Sequence, residues 1–497
     1  MKREKYKLYT VISALVLLIS IFIFGFTAWM VMNFGDVSFE QYYFSITSPT
    51  DGTPMSFYLK ILQYVLLIIV VTILVSLVYV RILKKVKARM LIKKIGLGLV
   101  TLSIFAGSIV YMNTSLKISK YFFADKTTFF EENYVLPSSE ILKFPQQKKN
   151  LIFIYVESYE TTYLSKELGG NVDRNLIPNL TNIVNEKGSI NFSNTDKLGG
   201  PFQAPETGYS IAAMYASQSG LPFKVPTNGN DYGNLYEFAP GTITLGDILK
   251  KEGYNTEFLV GADGVFAGVN NFYKTHGDFN ILDLTIAKEK GLIPQDYSEW
   301  WGFEDKKLFE FSKQRLEEVS KLDDPFMMVI EADDSHFPDG YTDKSCPTDS
   351  TQPYENSISC VDGMVSDFIK YVQAQDYYED TVIIVHGDHL SMEKNYFKTL
   401  DQNYLRTTFN AYINVDDALI KAAKNKNREM YIMDVFPTTL AAIGVDIKGD
   451  RLGLGTNLFS NVPTLYEYYG MDHVNEHLSN KSEYFFEEFL FSTKEYK

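Results

Sequence analysis

Residues 150–158, NLIFIYVES, and 380–390, DTVIIVHGDHL, decide the fold. Each holds an unbroken apolar run of strand length that stops abruptly in polar groups. The first ends in Glu157 and Ser158, the second in Gly387, Asp388 and His389. A strand apolar at successive positions is buried on both faces, the condition of a strand inside a parallel sheet covered by helices. Further strand-like runs follow the same logic: TEFLVGA (256–262), FMMVIEA (326–332) and NAYINV (410–415). Between and around them lie helical patterns, PNLTNIVNEKG (178–188), LGDILKKEG (245–253), KKLFEFSKQRLEEVSKL (306–322), VDGMVSDFIKYVQAQ (361–375) and MDVFPTTLAAIG (433–444). The alternation predicts an α/β domain with a mostly parallel central sheet and helices on both faces.

Upstream, the composition changes. Residues 9–33, 57–80 and 95–112 are three apolar runs, each able to span a hydrocarbon core that needs roughly 20 residues. A cleaved leader would account for the first run alone, but no small-residue cleavage pattern follows it and two more spans come next. The N-terminus MKREKYK and the loop RILKKVKARMLIKK (81–94) are basic, whereas residues 35–55 are acidic. Basic loops stay cytoplasmic, so everything after Met112 is expected outside the membrane. The expected organisation is a membrane region (1–112), a polar juxtamembrane stalk (113–148), the α/β domain (149–460) and a helical tail (461–497) that packs on the domain or on the membrane surface.

The formal net charge of the chain is −14 despite these cytoplasmic cations, so the α/β part is acidic and nucleic acid is excluded as a partner. The two cysteines, Cys346 and Cys360, both fall in the segment placed outside, where a disulfide is permitted; free thiols are the alternative.

In open α/β sheets reactive groups collect at the carboxyl ends of strands. Glu157, Asp388 and His389 all sit at such ends, and two carboxylates with an imidazole suit zinc, manganese or a similar divalent ion better than calcium. Each taken singly is equally a helix cap or a solvated turn. Ester chemistry on a metal also needs a nucleophile whose hydroxyl the ion can activate. The candidate is Thr207, in GGPFQAPETGYSIAAMYASQSGLP (199–222), where a Gly/Pro-rich loop runs into a small-residue helix whose N-terminus favours an anionic group. A plain N-cap role is the competing reading of Thr207. His336, in IEADDSHFPDGY (330–341), follows a strand on the same edge, and a functional role is expected for it. His386 is a partner behind the metal pair or simply part of its strand, and His276 is a weaker candidate.

The α/β part resembles the sulfatase-like branch of the alkaline-phosphatase superfamily, in particular the phosphoglycerol transferases of osmoregulated periplasmic glucans and the lipoteichoic acid synthases. The resemblance runs from about Asn150 to Ser460 and rests on NLIFIYVESYETTYL, IPNLTNIVNEKGSINFSN, TGYSIAAMYASQSGLP, GADGVFAGVNNFYKTHG, HFP, DTVIIVHGDH and MDVFPTTLAAIGVDIKGDRLGLGTNLFS, in the family's order. It implies that Glu157, Thr207, Asp388 and His389 hold one divalent metal ion, manganese in first place with zinc or magnesium as alternatives. Thr207 is then the nucleophile, with Ser210 as the minor alternative. His336 matches the substrate-contacting histidine, and Asp263, Phe266 and His386 join it in substrate binding. The formylglycine motif of sulfatases is absent at this position, which lowers the sulfatase reading. Where lipoteichoic acid synthases carry a tryptophan and an arginine, this chain has Ala267 and Val269. The GAD-x-x-FAG and HG-x-F pattern resembles the glucan-type enzymes instead.

The function this implies is a multi-pass enzyme of a bacterial plasma membrane with an extracytoplasmic or periplasmic catalytic domain. It would move phosphoglycerol from phosphatidylglycerol to a glycan or glucan hydroxyl through a covalent threonine intermediate. The alternatives are phosphoethanolamine transfer, hydrolysis as a sulfatase or phosphodiesterase, and a non-catalytic membrane sensor, which the full set of metal positions disfavours.

Overall fold

The computed structural model describes residues 2–34, 39–47, 55–85, 90–225, 237–492, 494 and 496. Parts of the loops that carry the charge asymmetry, 35–38, 48–54 and 86–89, lie outside the described residues. The chain forms two compact units, Met1–Phe39 with Pro54–Ala124, and Glu40–Thr53 with Asp125–Lys497.

The first unit holds the long apolar helices α1 (Lys2–Phe34), α3 (Met55–Lys85) and α4 (Met90–Leu116). Within them Val11–Met32, Tyr58–Tyr79 and Ile95–Leu116 are long and apolar enough to cross a membrane. Small residues let these helices approach: a side chain at Gly25 would meet Ile68, and one at Gly98 would meet the Tyr9 hydroxyl.

The second unit is built on a six-stranded sheet. Its strands are β1 (Asn150–Val156), β2 (Asn255–Val260), β3 (Asn280–Leu282), β4 (Phe326–Ala332), β5 (Thr381–Gly387) and β6 (Asn410–Ile413). Their order is β3-β2-β4-β1-β5-β6, all parallel except the β5–β6 pair. The unbroken apolarity of β1 has its reason here. Leu151, Phe153 and Tyr155 enter one core with the helices Ser210–Ser219 and Val435–Ala442, while Ile152, Ile154 and Val156 enter the other with Asp305–Val319 and Pro353–Gln373. Register does the positioning: Val156 lies beside Ala332 of β4 and Gly387 of β5. The next residue of each strand, Glu157, Asp333 and Asp388, is therefore a carboxylate at one edge.

Two segments differ from the expected organisation. Residues 125–148 do not form a free stalk: Val135 bridges Gly453, and Leu142–Lys143 pairs antiparallel with Asp446–Ile447, so the segment is part of the second unit. The short helix α2 (Phe39–Thr47), in the loop between the first two apolar helices, also contributes Glu40–Thr47 to that unit. Phe44 is 2% exposed and packs on Tyr209 and Phe223 at 5.3 and 5.6 Å between ring centres. Its apolar burial outweighs the polar character that reads as loop. The tail beyond residue 460 packs on the domain through Leu465, Tyr466, Val474 and Phe485, all buried. Cys346 and Cys360 form a disulfide with Cα atoms 5.5 Å apart.

Candidate active site

Glu157, Asp388 and His389 meet at the carboxyl ends of β1 and β5, each 1% exposed, with one ligand atom from each lying within 4.8 Å of the others. The backbone turns that present them are tight. Ser158 sits at φ 56°, a left-handed conformation that costs a non-glycine residue roughly 1–2 kcal/mol. Its N–H donates to Asp388 Oδ1 at 2.7 Å, which joins the two strand ends. The His389 Nδ1–H donates to the Leu390 carbonyl at 3.0 Å, which turns Nε2 toward the two carboxylates. That nitrogen lies 3.5 Å from Glu157 Oε1 and 3.3 Å from Asp388 Oδ2. Asp388 Oδ2 is buried without a hydrogen-bond partner among the described residues. An orphaned carboxylate oxygen beside a second carboxylate and an imidazole nitrogen, whose proton a bound cation would displace, is a donor set that suits a divalent cation.

The electrostatics agree. Burial pushes the Asp388 carboxyl up to about 8, with the Glu157 charge adding to the effect. Burial also acts to raise Glu157, but the charges of His389 and His336 and the hydrogen bonds from His389 and Ser158 outweigh it and hold the carboxyl below its usual range. Burial lowers His389, yet Asp388 and Glu157 overcome it and raise the ring to about 10. The pocket thus favours positive charge at its centre.

The two candidate hydroxyls lie at the start of the helix Ser210–Ser219, Ser210 as its first residue and Thr207 in the loop before it. Ser210 Oγ donates to Glu157 Oε2 at 2.9 Å. Thr207 is 1% exposed and donates instead to the Ala204 carbonyl at 2.8 Å. It is not the helix N-cap, a place taken by Tyr209 without a side-chain cap, so the plain capping reading fails. Glu206 before it lies at φ 60°, a second strained residue at this edge. Gln203 ties the loop to the metal turn, its Oε1 accepting the Leu390 N–H at 2.8 Å.

His336 follows β4, and its Nδ1–H donates to the Phe337 carbonyl at 2.6 Å, so Nε2 is again the acceptor. Burial lowers the proton affinity of this ring against the pull of Glu157. Asp263 and Phe266 lie in the loop after β2. Asp263 accepts from Val265 N–H and from the Thr285 hydroxyl, and Phe266 is 37% exposed. Among the described residues, no hydrogen bond or ring contact joins either to the carboxylate–imidazole group. His386 is a different case: it is wholly buried inside β5, with Nδ1–H donating to the Gly387 carbonyl and burial lowering its pKa to about 4. No face of it reaches solvent, so direct substrate contact is replaced by a place within the strand. His276 bonds Asp247 and the Phe238 carbonyl and is structural.

Sequence reasoning missed Glu331 and Asp333, whose carboxylate oxygens lie within 4.8 Å of one another and of Glu157. The signal was an acid closing the apolar strand FMMVIEA. It also missed Trp301, whose ring centre lies 4.6 Å from that of His336.

A family model described as Sulfatase matches residues 149–445. Phosphoglycerol transferase I of Escherichia coli O6:K15:H31 (strain 536 / UPEC) is 32% identical over 349 residues, covering 68% of this chain and 41% of that protein. The protein of the same name from Shigella flexneri is 32% identical over 344 residues, covering 67% and 41%. The chain therefore spans well under half the length of these relatives. Among solved structures, the integral membrane protein lipooligosaccharide phosphoethanolamine transferase A (EptA) from Neisseria meningitidis shares the fold, with a TM-score of 0.51 at 17% identity over 88% of this chain and 84% of that one. Since the matched span contains every strand of the central sheet and every group of the carboxylate–imidazole centre, the chain belongs to the sulfatase family.

Proposed function

We propose that the chain is a metal-dependent phosphoglycerol transferase of a bacterial plasma membrane, with its α/β domain on the extracytoplasmic side. It moves glycerol phosphate from phosphatidylglycerol to a hydroxyl of an extracytoplasmic glycan. The observation that carries the reading is the convergence of Glu157, Asp388 and His389 in a buried, cation-seeking group to which the Ser210 hydroxyl is bonded. The 32% identity to proteins named phosphoglycerol transferase I supports the donor. The three apolar helices supply the anchorage a lipid substrate calls for, and the basic 81–94 segment supports the orientation.

Glu157, Thr207, Asp388 and His389 would hold one divalent ion, manganese in first place, which when bound neutralises charge developing on the phosphoryl oxygens and lowers the pKa of the hydroxyl it touches. Thr207 Oγ1 leaves the Ala204 carbonyl and bonds to phosphorus as the bond from phosphorus to the diacylglycerol oxygen breaks. The threonine proton is lost and diacylglycerol takes one up. The acceptor hydroxyl then attacks the glycerophosphoryl-threonine while its proton passes to His336 Nε2, unprotonated at neutral pH because burial lowers the ring. Thr207 departs, is reprotonated, and the cycle closes.

The test is the intact mass of the full chain in lipid nanodiscs, wild type and Thr207→Ala, with phosphatidylglycerol and manganese. A glycerophosphoryl adduct on wild type alone, mapped to Thr207, is expected. An adduct on Ser210 would move the nucleophile. An adduct from phosphatidylethanolamine only, or no adduct with turnover of a sulfate ester, would overturn the donor.

A further inference from the structure

Next to His336 the chain builds a feature that the transfer reaction, as derived above, does not use. The turn Glu299–Gly302 is closed by two backbone hydrogen bonds, Glu299 N–H to Gly302 O at 2.8 Å and Gly302 N–H to Glu299 O at 2.9 Å. Trp300 occupies the left-handed region in this turn, at φ 52°, where glycine would be unstrained. The turn is pinned to the loop after β2, with Gly302 bridging Ala262 and Phe303 N–H donating to Gly261 O at 3.0 Å. A side chain at Gly302 would strike the Gly261 carbonyl, so the approach is close by construction. In the facing loop Ala267 is also left-handed, at φ 53°.

What the two strained loops achieve together is an aromatic wall. Trp301 lies 4.6 Å from His336 on one side and 5.8 Å from Phe266 on the other, between ring centres. Phe266 is 37% and Val265 42% exposed, and Trp301 is half-buried, so the wall has a solvent-facing side. Asp263, two residues before Val265, brings a half-buried carboxylate to the same loop. An apolar aromatic face with a carboxylate in the same loop suits an acyl chain poorly, since a lipid tail gains nothing from a carboxylate. It fits a pyranose ring, whose C–H face carries slight positive charge toward the π-cloud while its hydroxyls point outward to acceptors.

We propose that Trp301 and Phe266 form the acceptor subsite, stacking a sugar ring of the glycan so that one of its hydroxyls is delivered to His336 Nε2. This rests on the transferase reading and assigns the place where a sugar ring of its glycan acceptor would bind. The strain at Trp300 and Ala267 is retained because it holds the wall against His336.

The experiment uses the full chain in nanodiscs as wild type, Trp301→Ala and Trp301→Phe, with a β-glucose oligosaccharide as probe. Direct binding of the oligosaccharide is measured by saturation-transfer NMR without donor, and adduct formation from phosphatidylglycerol is measured separately by mass. Trp301→Ala is expected to weaken oligosaccharide binding and raise the acceptor KM by about tenfold, the worth of one good aromatic contact. Trp301→Phe should restore most of both, and adduct formation should stay at the wild-type rate. Unchanged oligosaccharide binding in Trp301→Ala, or adduct formation falling in step with transfer, would overturn the subsite. Trp301-dependent binding in a protein that forms no adduct would leave the subsite standing and remove the transferase reading instead.

Discussion

The side-chain oxygen of Gln203 accepts the backbone N–H of Leu390 at 2.8 Å, joining the loop that carries Thr207 to the turn that carries Asp388 and His389. One hydrogen bond thus couples the loop of the proposed nucleophile to the proposed metal-binding turn across 187 residues of sequence. Gln203→Ala should cost about 1–3 kcal/mol in stability by leaving the amide unpaired. Metal affinity should fall by roughly 10- to 100-fold, the usual effect of removing a group that orients ligands. Manganese titration monitored by calorimetry checks it; affinity equal to wild type would show that the turn holds itself.

A cation bound only to the folded state stabilises it by mass action, about 2.7 kcal/mol at a hundredfold excess over Kd. Manganese should raise the Tm of the wild-type chain by several degrees, and a chelator should reverse it. Asp388→Asn should abolish the shift, because the orphaned oxygen is replaced by an amide. A metal-induced shift that survives in Asp388→Asn, and is lost in Glu331→Gln, would relocate the cation to the neighbouring Glu157, Glu331 and Asp333 group.

The loop helix α2 bears on the loop that carries Thr207. Phe44 packs on Tyr209, and Gln41 Nε2 reaches the Gly208 carbonyl at 3.4 Å. Phe44→Ala should destabilise the second unit by about 3–5 kcal/mol, as for other buried aromatics. Amide exchange should speed up in residues 203–210 more than in the central strands. Equal exchange in both would mean that α2 contributes burial only.

The Cys346–Cys360 bridge closes a segment running from just beyond His336 into the helix Pro353–Gln373. Chain-entropy arguments give about 3 kcal/mol for a loop of roughly this length. The double Cys346→Ser, Cys360→Ser variant should lose a comparable amount in denaturant unfolding. Acceptor transfer should fall further than adduct formation, because the adjoining loop carries the proposed proton acceptor. Equal losses in both half-reactions would assign the bridge to stability alone.

Much of this was legible in the chain because the cues are local. Apolar runs of strand length, ended by Glu157-Ser158 and Gly387-Asp388-His389, state both the burial of β1 and β5 and the polarity of their ends. Glu331 was legible in principle by the same rule, but a nearby histidine drew the reading to His336. The resemblance places His386 in substrate binding, but one residue along a strand decides between a side chain facing the core and one facing the site, and its neighbours in the chain do not reveal which.

By itself the sequence determined the three apolar helices, the alternating α/β order and the identity of the carboxylates and histidines at the strand ends, because periodicity and composition are carried by neighbours in the chain. Only the tertiary structure decided which of those groups meet. Parallel register set Glu157, Asp333 and Asp388 side by side, and a Gln203 hydrogen bond brought the Thr207 loop to the metal turn. A strained turn carried Trp301 to His336 across 35 residues, and α2 joined the second unit from the far end of the chain. Such contacts depend on packing and loop closure between distant segments, and those energies have no signature in the residues flanking either partner.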